Sequence, residues 1–221
     1  MIRTELTDTY RHKGLREKLV ADLRKKGIVS ETVLQAINIV PRHYFFDTTF
    51  VEYAYQDKAF PIDAGQTISQ PYTVAAQTEL LDVKSGMKVL EVGTGSGYQA
   101  VILATIGAKV YSIERQKLLF EKAKILIPKL THRIRLFYGD GYAGLPVHAL
   151  FDRILITAAA PFIPQKLLEQ LKIGGIIVAP VGEGDTQVMT RIMRKSETEF
   201  VKNEFGIYRF VPMLAKKAED R

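Results

Sequence analysis

The sequence predicts an α/β fold: a Rossmann-like, doubly wound, mostly parallel seven-stranded sheet with helices on both faces and added helices at the N-terminus. Three observations carry that expectation. Lys88 to Gln99 reads K-V-L-E-V-G-T-G-S-G-Y-Q, a short apolar run that ends in an acid and passes into a glycine cluster, the pattern of strand, tight turn and helix. Further apolar runs at 108–113, 134–138 and 151–157 alternate with helical stretches and end in polar residues on one side, as parallel strands joined by helices do. At 221 residues the chain is long enough for one substantial core, so 1–221 is expected to be a single domain.

Within that domain, 1–81 reads as a helical cap with a substrate-side loop, 82–215 as the nucleoside-binding core and 216–221 as a frayed, solvated tail. Leu15, Leu19 and Leu23 recur every four residues and lead into an amphipathic helix, Leu19 to Gly27. Ser30 is placed to cap a second helix carrying Val33, Leu34, Ile37 and Val40, which Pro41 closes. In Pro41 to Phe46, His43 is expected to fix the helix exit and not to do chemistry. Tyr53 to Phe60 reads as a covering loop. Phe60 to Pro71, F-P-I-D-A-G-Q-T-I-S-Q-P, gathers Gln66, Thr67, Ser69 and Gln70 without adding charge beyond Asp63. Such a loop either cradles a carboxylate through hydroxyl and backbone N–H groups or is a capped turn into the helix Pro71 to Leu81.

In the core, Val89, Leu90 and Val92 form the first strand, Gly93, Gly95 and Gly97 the turn, and Tyr98 to Thr105 the helix. Backbone N–H groups then face a concavity at the carboxyl end of the sheet. The glycines fall as G-x-G-x-G, not G-x-G-x-x-G, and no G-K-[ST] follows, so the loop suits a nucleoside whose tail is not a polyphosphate. Glu114 ends the second strand, about twenty residues beyond the first glycine, where a carboxylate can accept both ribose hydroxyls. After the third strand, Ile134 to Tyr138, Gly139-Asp140-Gly141 is either a simple turn or a place where Asp140 accepts from an adenine amino group.

Arg115 to Ile127 reads as a helix broken at Pro128. Phe151 to Thr157 is the fourth strand, and Thr157 with Ala158 to Ala160 leaves room for a ligand. Pro164 to Leu171 is a short helix, Gly174-Gly175 turns into the strand Ile176 to Val181, and Gln187 to Met193 and Phe205 to Val211 close the sheet across the polar excursion Arg194 to Asn203.

Composition excludes several classes of chemistry. With no cysteine there is no disulfide, thiolate metal site or cysteine nucleophile. Four dispersed histidines without an H-E-x-x-H pattern give no metal signature. The formal charge is +7, but the basic residues are spread along Arg11 to Lys26, Arg115 to Lys124, Arg191 to Lys195 and the tail with few aromatics between them, which reads as solvated faces and not as a specific nucleic-acid groove. No signal-peptide-like run and no spanning segment stand out, so a cytoplasmic protein without membrane contact is expected. No apolar heptad appears, and a monomer is expected.

Several motifs together resemble one family. V-P-R-H-Y-F at Val40 to Phe45, G-Q-T-I-S-Q-P at Gly65 to Pro71, L-E-V-G-T-G-S-G-Y at Leu90 to Tyr98, G-D-G at Gly139 to Gly141, F-D-x-I-x-I-T-A-A at Phe151 to Ala159 and R-F-V-P at Arg209 to Pro212 resemble the protein-L-isoaspartate O-methyltransferases. The glycine motif marks only the S-adenosylmethionine-dependent superfamily; the upstream T-I-S element is the specific signal.

The resemblance implies S-adenosyl-L-methionine as cofactor, with S-adenosyl-L-homocysteine as product, and the free α-carboxyl of L-isoaspartyl residues in damaged proteins and peptides as acceptor. It implies Ser69 as the active-site serine, Thr67 and Ile68 beside it, and Val211 and Leu214 as a wall against the substrate backbone. The cofactor-binding set is then Glu91, Gly93, Thr94, Gly95, Gly97, Glu114, Arg115, Asp140, Gly141 and Thr157. The chain departs from the family pattern at Asp63, where glycine is usual, at Tyr142, where tryptophan is frequent, and at Phe162, where an acid is common. A methyltransferase acting on a small molecule or RNA, and a catalytically silent cofactor binder, are the competing readings.

Overall fold

The computed structural model describes residues 6–218. Helix α1 spans Tyr10–Lys25 and α2 spans Glu31–Ile39. The start of α1 differs from the expectation of Leu19. Thr9 and His12 cap it reciprocally, His12 N–H donating to Thr9 Oγ1 at 3.4 Å and Thr9 N–H to His12 Nδ1 at 3.3 Å. Histidine here does the work of the usual Glu or Gln of a capping box. The apolar stripe is also interrupted by Arg16, which is buried because Asp8 takes both its terminal nitrogens, at 2.8 and 2.9 Å. Helix α2 has the expected cap, with Val33 N–H donating to Ser30 Oγ at 3.4 Å.

Short 3-10 turns at Arg42–Phe45 and Thr48–Tyr53 lead to a two-stranded hairpin, β1 (Phe60–Pro61) and β2 (Thr67–Ile68). Helix α3, Pro71–Leu81, begins with proline at its first turn, where the missing N–H costs nothing.

The main sheet contains β3 (Lys88–Val92), β4 (Lys109–Glu114), β5 (Ile134–Tyr138), β6 (Phe151–Ile156), β7 (Leu171–Val181), β8 (Gln187–Arg194) and β9 (Phe200–Tyr208). Its order is β5-β4-β3-β6-β7-β8-β9; the strands from β5 to β7 are parallel, and β8 runs antiparallel to both its neighbours. Helices α4 (Tyr98–Thr105), α5 (Lys117–Leu126) and α6 (Gln165–Glu169) connect the parallel strands. Val89, Leu90, Ile154 and Leu155 at the centre are fully buried. The cap helices share one apolar cluster with α4: Leu19, Leu23, Leu34 and Ile37 pack with Tyr98, Val101 and Ile102.

The register brings the carboxyl ends of the central strands level. Val92 pairs with Ile113 and with Ile156. Gly93 N–H then donates to Ile113 O at 2.9 Å, Thr157 N–H to Val92 O at 3.0 Å and Gly139 N–H to Glu114 O at 2.9 Å. One rim therefore holds the glycine turn, Glu114, the G-D-G turn and Thr157.

Three expectations are corrected. Strand β7 begins at Leu171, before the two glycines: its pairing jumps from Phe151–Leu171 to Arg153–Ile176, so Lys172 to Gly175 bulge out, with Gly174 at φ +79°. The last strand runs from Phe200 to Tyr208, not from Phe205 to Val211, because a tight turn at 195–199 returns the chain immediately; Lys195 N–H donates to Glu199 O at 2.8 Å. The part of the supposed frayed tail that is described is anchored: Ala218 N–H donates to Arg115 O at 3.0 Å, Tyr138 Oη to Ala218 O at 2.8 Å, and Lys216 N–H to Asp140 Oδ2 at 3.0 Å. Residues 219–221 lie outside the described part.

Candidate active site

The turn between β3 and α4 needs glycine. Gly93, Gly95 and Gly97 all have positive φ, at +100°, +53° and +87°, and a Cβ on Gly93 would meet Thr157 Oγ1 at 2.5 Å. Glu114, at the end of β4, closes this turn from below. Its Oε2 accepts from Gly95 N–H and its Oε1 from Gln116 N–H, both at 2.8 Å. Thr157 Oγ1 donates to Gly93 O at 2.7 Å. Thr94 Oγ1 shares a 2.6 Å hydrogen bond with Ser112 Oγ, which in turn donates to the Glu91 carboxyl.

A cleft opens over this rim and reaches the β2 loop. The predicted residues Thr67, Ile68, Ser69, Gly93, Thr94, Gly95, Glu114, Arg115, Gly141, Thr157, Val211 and Leu214 all line it. Glu91, Gly97 and Asp140 are not among the residues that line it. Glu91 is completely buried beneath the turn; burial pushes its carboxyl up to about 8, and its Oε1 has no hydrogen-bond partner among the described residues. It supports Thr94 through Ser112. Gly97 faces helix packing, since a Cβ there would meet Ile127 Cδ1 at 2.9 Å. Asp140 is occupied by backbone, accepting from Tyr142 N–H at 2.9 Å and from Lys216 N–H at 3.0 Å.

Sequence reading missed other lining residues. Gln99, in the first turn of α4, is 8% exposed, donates to Thr78 Oγ1 at 2.9 Å and leaves Oε1 without a partner among the described residues. Its signal was a lone amide in an otherwise apolar helix. Gln66, already singled out as a loop donor, and Ser96 and Tyr98 of the glycine motif also line the cleft, as does Met213, which nothing in its spacing marks.

At the other end of the cleft, the β1–β2 hairpin presents Ser69. The carbonyl of Ser69 accepts from Arg42 Nη2 at 2.7 Å, while its hydroxyl has no intramolecular partner among the described residues. The turn of the hairpin is pinned to α5 by Lys122, which pairs with Asp63 and, at 3.9 Å, with Asp47. The departure at Asp63 therefore has a partner. The opposite wall is fixed by Ala159, whose N–H donates to Val211 O at 2.8 Å and whose carbonyl accepts from Met213 N–H at 2.7 Å. Thr67, Ser69, Thr157 and Val211 are shared with a second, open groove that continues between Gln70–Thr73 and Gly206–Phe210.

The donor set suits a nucleoside with an uncharged or cationic tail. The Glu114 carboxylate closes the turn, the glycine N–H groups of the turn are taken up within the protein, and neither a lysine nor an arginine belongs to the turn itself.

Comparison with known proteins gives concordant matches. Residues 14–218 match the family model described as Protein-L-isoaspartate(D-aspartate) O-methyltransferase (PCMT). The protein-L-isoaspartate O-methyltransferase of Flavobacterium psychrophilum is 59% identical over 213 residues, covering 96% of this chain and 100% of that protein. The protein of the same name from Christiangramia forsetii matches equally, at 59% over 213 residues, with coverage of 96% and 100%. Among solved structures, a protein-L-isoaspartate O-methyltransferase superposes with a TM-score of 0.80 at 29% identity over 89% of this chain and 65% of that one. A putative member from Plasmodium falciparum, solved in complex with S-adenosyl-L-homocysteine, gives 0.79 at 25% identity, covering 90% of this chain and 98% of its own.

Proposed function

The chain belongs to the protein-L-isoaspartate O-methyltransferase family, and from that premise we propose how its cleft divides the work. The protein is an S-adenosyl-L-methionine-dependent methyltransferase acting on isoaspartyl residues of damaged proteins. The small-molecule, RNA and silent-binder readings find no support in these matches.

The bound cofactor supplies a methyl group already activated on a sulfonium. Glu114 takes the ribose hydroxyls, with the Gly93–Gly95 backbone, Thr94, Arg115, Gly141 and Thr157 around the nucleoside. Glu114 is well prepared for this, because two backbone N–H groups already fix its carboxylate. The acceptor is a carboxylate with a reference pKa of about 4, so it arrives ionised at neutral pH and needs no general base. Ser69 therefore acts as an orienting donor. Its hydroxyl fixes the approach of the acceptor carboxylate, and positioning of this kind supplies several powers of ten in rate. Thr67, Ile68, Val211 and Leu214 hold the flanking backbone of an extended polypeptide and keep water from the reacting carboxylate. The resulting ester is a better leaving group for succinimide formation, whose hydrolysis returns some normal aspartate.

The single observation that carries this division is that the unpartnered Ser69 hydroxyl opens on the same cleft as Glu114 and the glycine turn. The reading has the protein act as a cytoplasmic monomer on damaged proteins and peptides generally, without specific nucleic acid or membrane; no helix among the described residues is long and apolar enough to cross a membrane. Incubation with labelled S-adenosylmethionine and matched isoaspartyl and aspartyl peptides tests it. Label is expected in the isoaspartyl peptide alone, and equal or absent labelling of the pair overturns the assignment.

A further inference from the structure

Arg42 is completely buried, in the 3-10 turn Arg42–Phe45 that follows α2. Its Nε donates to Ala54 O at 3.0 Å and its Nη2 to Ser69 O at 2.7 Å. The guanidinium carbon lies 4.6 Å from the ring centre of Tyr98, which lines the cofactor side of the cleft, and 5.4 Å from that of Phe46. No carboxylate lies within ion-pair distance of it among the described residues and Nη1 makes no hydrogen bond of good geometry there, although the Tyr98 hydroxyl and the more distant Asp57 carboxylate favour its charged form. Burial pulls the guanidinium down to about 10, which leaves it charged at neutral pH.

A buried cation without an acid beside it is costly, and the aromatic faces offset only part of that cost. Tying Ala54 to Ser69 requires donors but not a charge. What the charge adds is a fixed positive potential behind the Ser69 peptide, inside a water-poor wall where it is weakly screened.

We propose that Arg42 is the positioning residue of the acceptor site: it holds the Ser69 carbonyl so that the hydroxyl faces the cleft, and its charge, paired with no carboxylate at contact distance among the described residues, draws the acceptor carboxylate to that hydroxyl. This rests on the function proposed above. Methylation turns a carboxylate into a neutral ester, so negative charge on the acceptor is greatest before reaction. A cation at this place therefore favours the bound acceptor at least as strongly as the transition state, and its loss is read in the acceptor KM and not chiefly in kcat.

The test compares wild type, Arg42→Lys and Arg42→Met in steady-state kinetics with an isoaspartyl peptide, alongside S-adenosylhomocysteine titration calorimetry. Arg42→Met is expected to raise the peptide KM about tenfold or more while kcat changes less than about threefold. The Kd of S-adenosylhomocysteine stays within about twofold, and Arg42→Lys, which keeps the charge without the planar fork, has an intermediate KM. The KM effect is expected to shrink in a Ser69→Ala background, because the two residues act on one group. Arg42→Lys and Ser69→Ala/Arg42→Lys carry the same comparison should Arg42→Met not fold. A reduced kcat with unchanged peptide KM, which partial unfolding alone would give, overturns the proposal, as does an equal loss of cofactor affinity. A wild type inactive on every isoaspartyl peptide overturns the function it rests on; an active wild type with unaltered KM in the variants overturns only this role of Arg42.

Discussion

Ser69 is held by its carbonyl and free at its hydroxyl, and those two facts set what its removal does. Ser69→Ala keeps the backbone bond to Arg42 and every cofactor-side contact, so S-adenosylhomocysteine affinity is expected to stay within about twofold while kcat falls by roughly 100-fold. Calorimetry showing abolished cofactor affinity would contradict that division. Glu114→Ala has the opposite emphasis. It frees Gly95 N–H and Gln116 N–H and removes the ribose acceptor, so cofactor Kd should rise about 10- to 100-fold, read by the same titration. Glu114 was legible in the sequence because its position follows from strand period and spacing alone. Arg42 was not: it reaches Ser69 across 27 residues, a contact that no local pattern encodes. Glu91 and Asp140 follow from the same strand-end pattern, and the fold gives each an intramolecular partner: the carboxyl of Glu91 turns inward to Ser112 and that of Asp140 accepts from backbone N–H groups.

At the level of elements, the central parallel strands β3, β4 and β6 were readable because both their faces are largely covered, which writes mainly apolar runs. Strand β9 was misplaced because it is an edge strand with mostly exposed side chains, so its pattern carries little of the core. The C-terminal segment was misread for a related reason. Its composition is that of a solvated tail, but it is tied down through its own backbone, to Arg115, Tyr138 and Asp140. Two of these are residues expected at the cofactor. Ending the chain at Ala215 is therefore expected to act locally. Backbone amides near Arg115 to Gln116 and Tyr138 to Asp140 should lose hydrogen-exchange protection, and S-adenosylhomocysteine should dissociate several-fold faster, as stopped-flow fluorescence would show. Global stability should fall by no more than about 1–2 kcal/mol, since only a few partly exposed hydrogen bonds are lost. Unchanged exchange and dissociation would mean that the segment merely decorates the rim.

For the molecule as a whole, burying Glu91 under the glycine turn makes stability depend on pH on the alkaline side. Its carboxyl titrates near 4.5 when exposed and about 8 in the fold, because burial opposes ionisation and Glu114 adds like charge, while the Ser112 hydrogen bond only partly compensates. Below the lower value both states hold the proton and the contribution is complete. Between the two the unfolded chain has released its proton and the native state retains it, so stability falls as pH rises, and the loss is complete above about 8. Asp8 and Asp152 act at the other end: Arg16 holds the first below the usual carboxylate range, and Lys172 with the Lys88 N–H holds the second there against burial, so their contributions vanish as pH falls through that range. Urea unfolding should accordingly give a maximum near pH 5 and a decline toward pH 8. Glu91→Gln keeps an acceptor for Ser112 and removes the titration, so it should flatten the decline and leave the protein more stable than wild type at pH 8 by about 2 kcal/mol or more, with little difference at pH 5. The acid limb, which belongs to Asp8 and Asp152, should be unaltered in the same variant. A wild-type alkaline slope that survives Glu91→Gln would place the responsible proton elsewhere and would mean that the carboxyl beneath the turn is ionised at neutral pH.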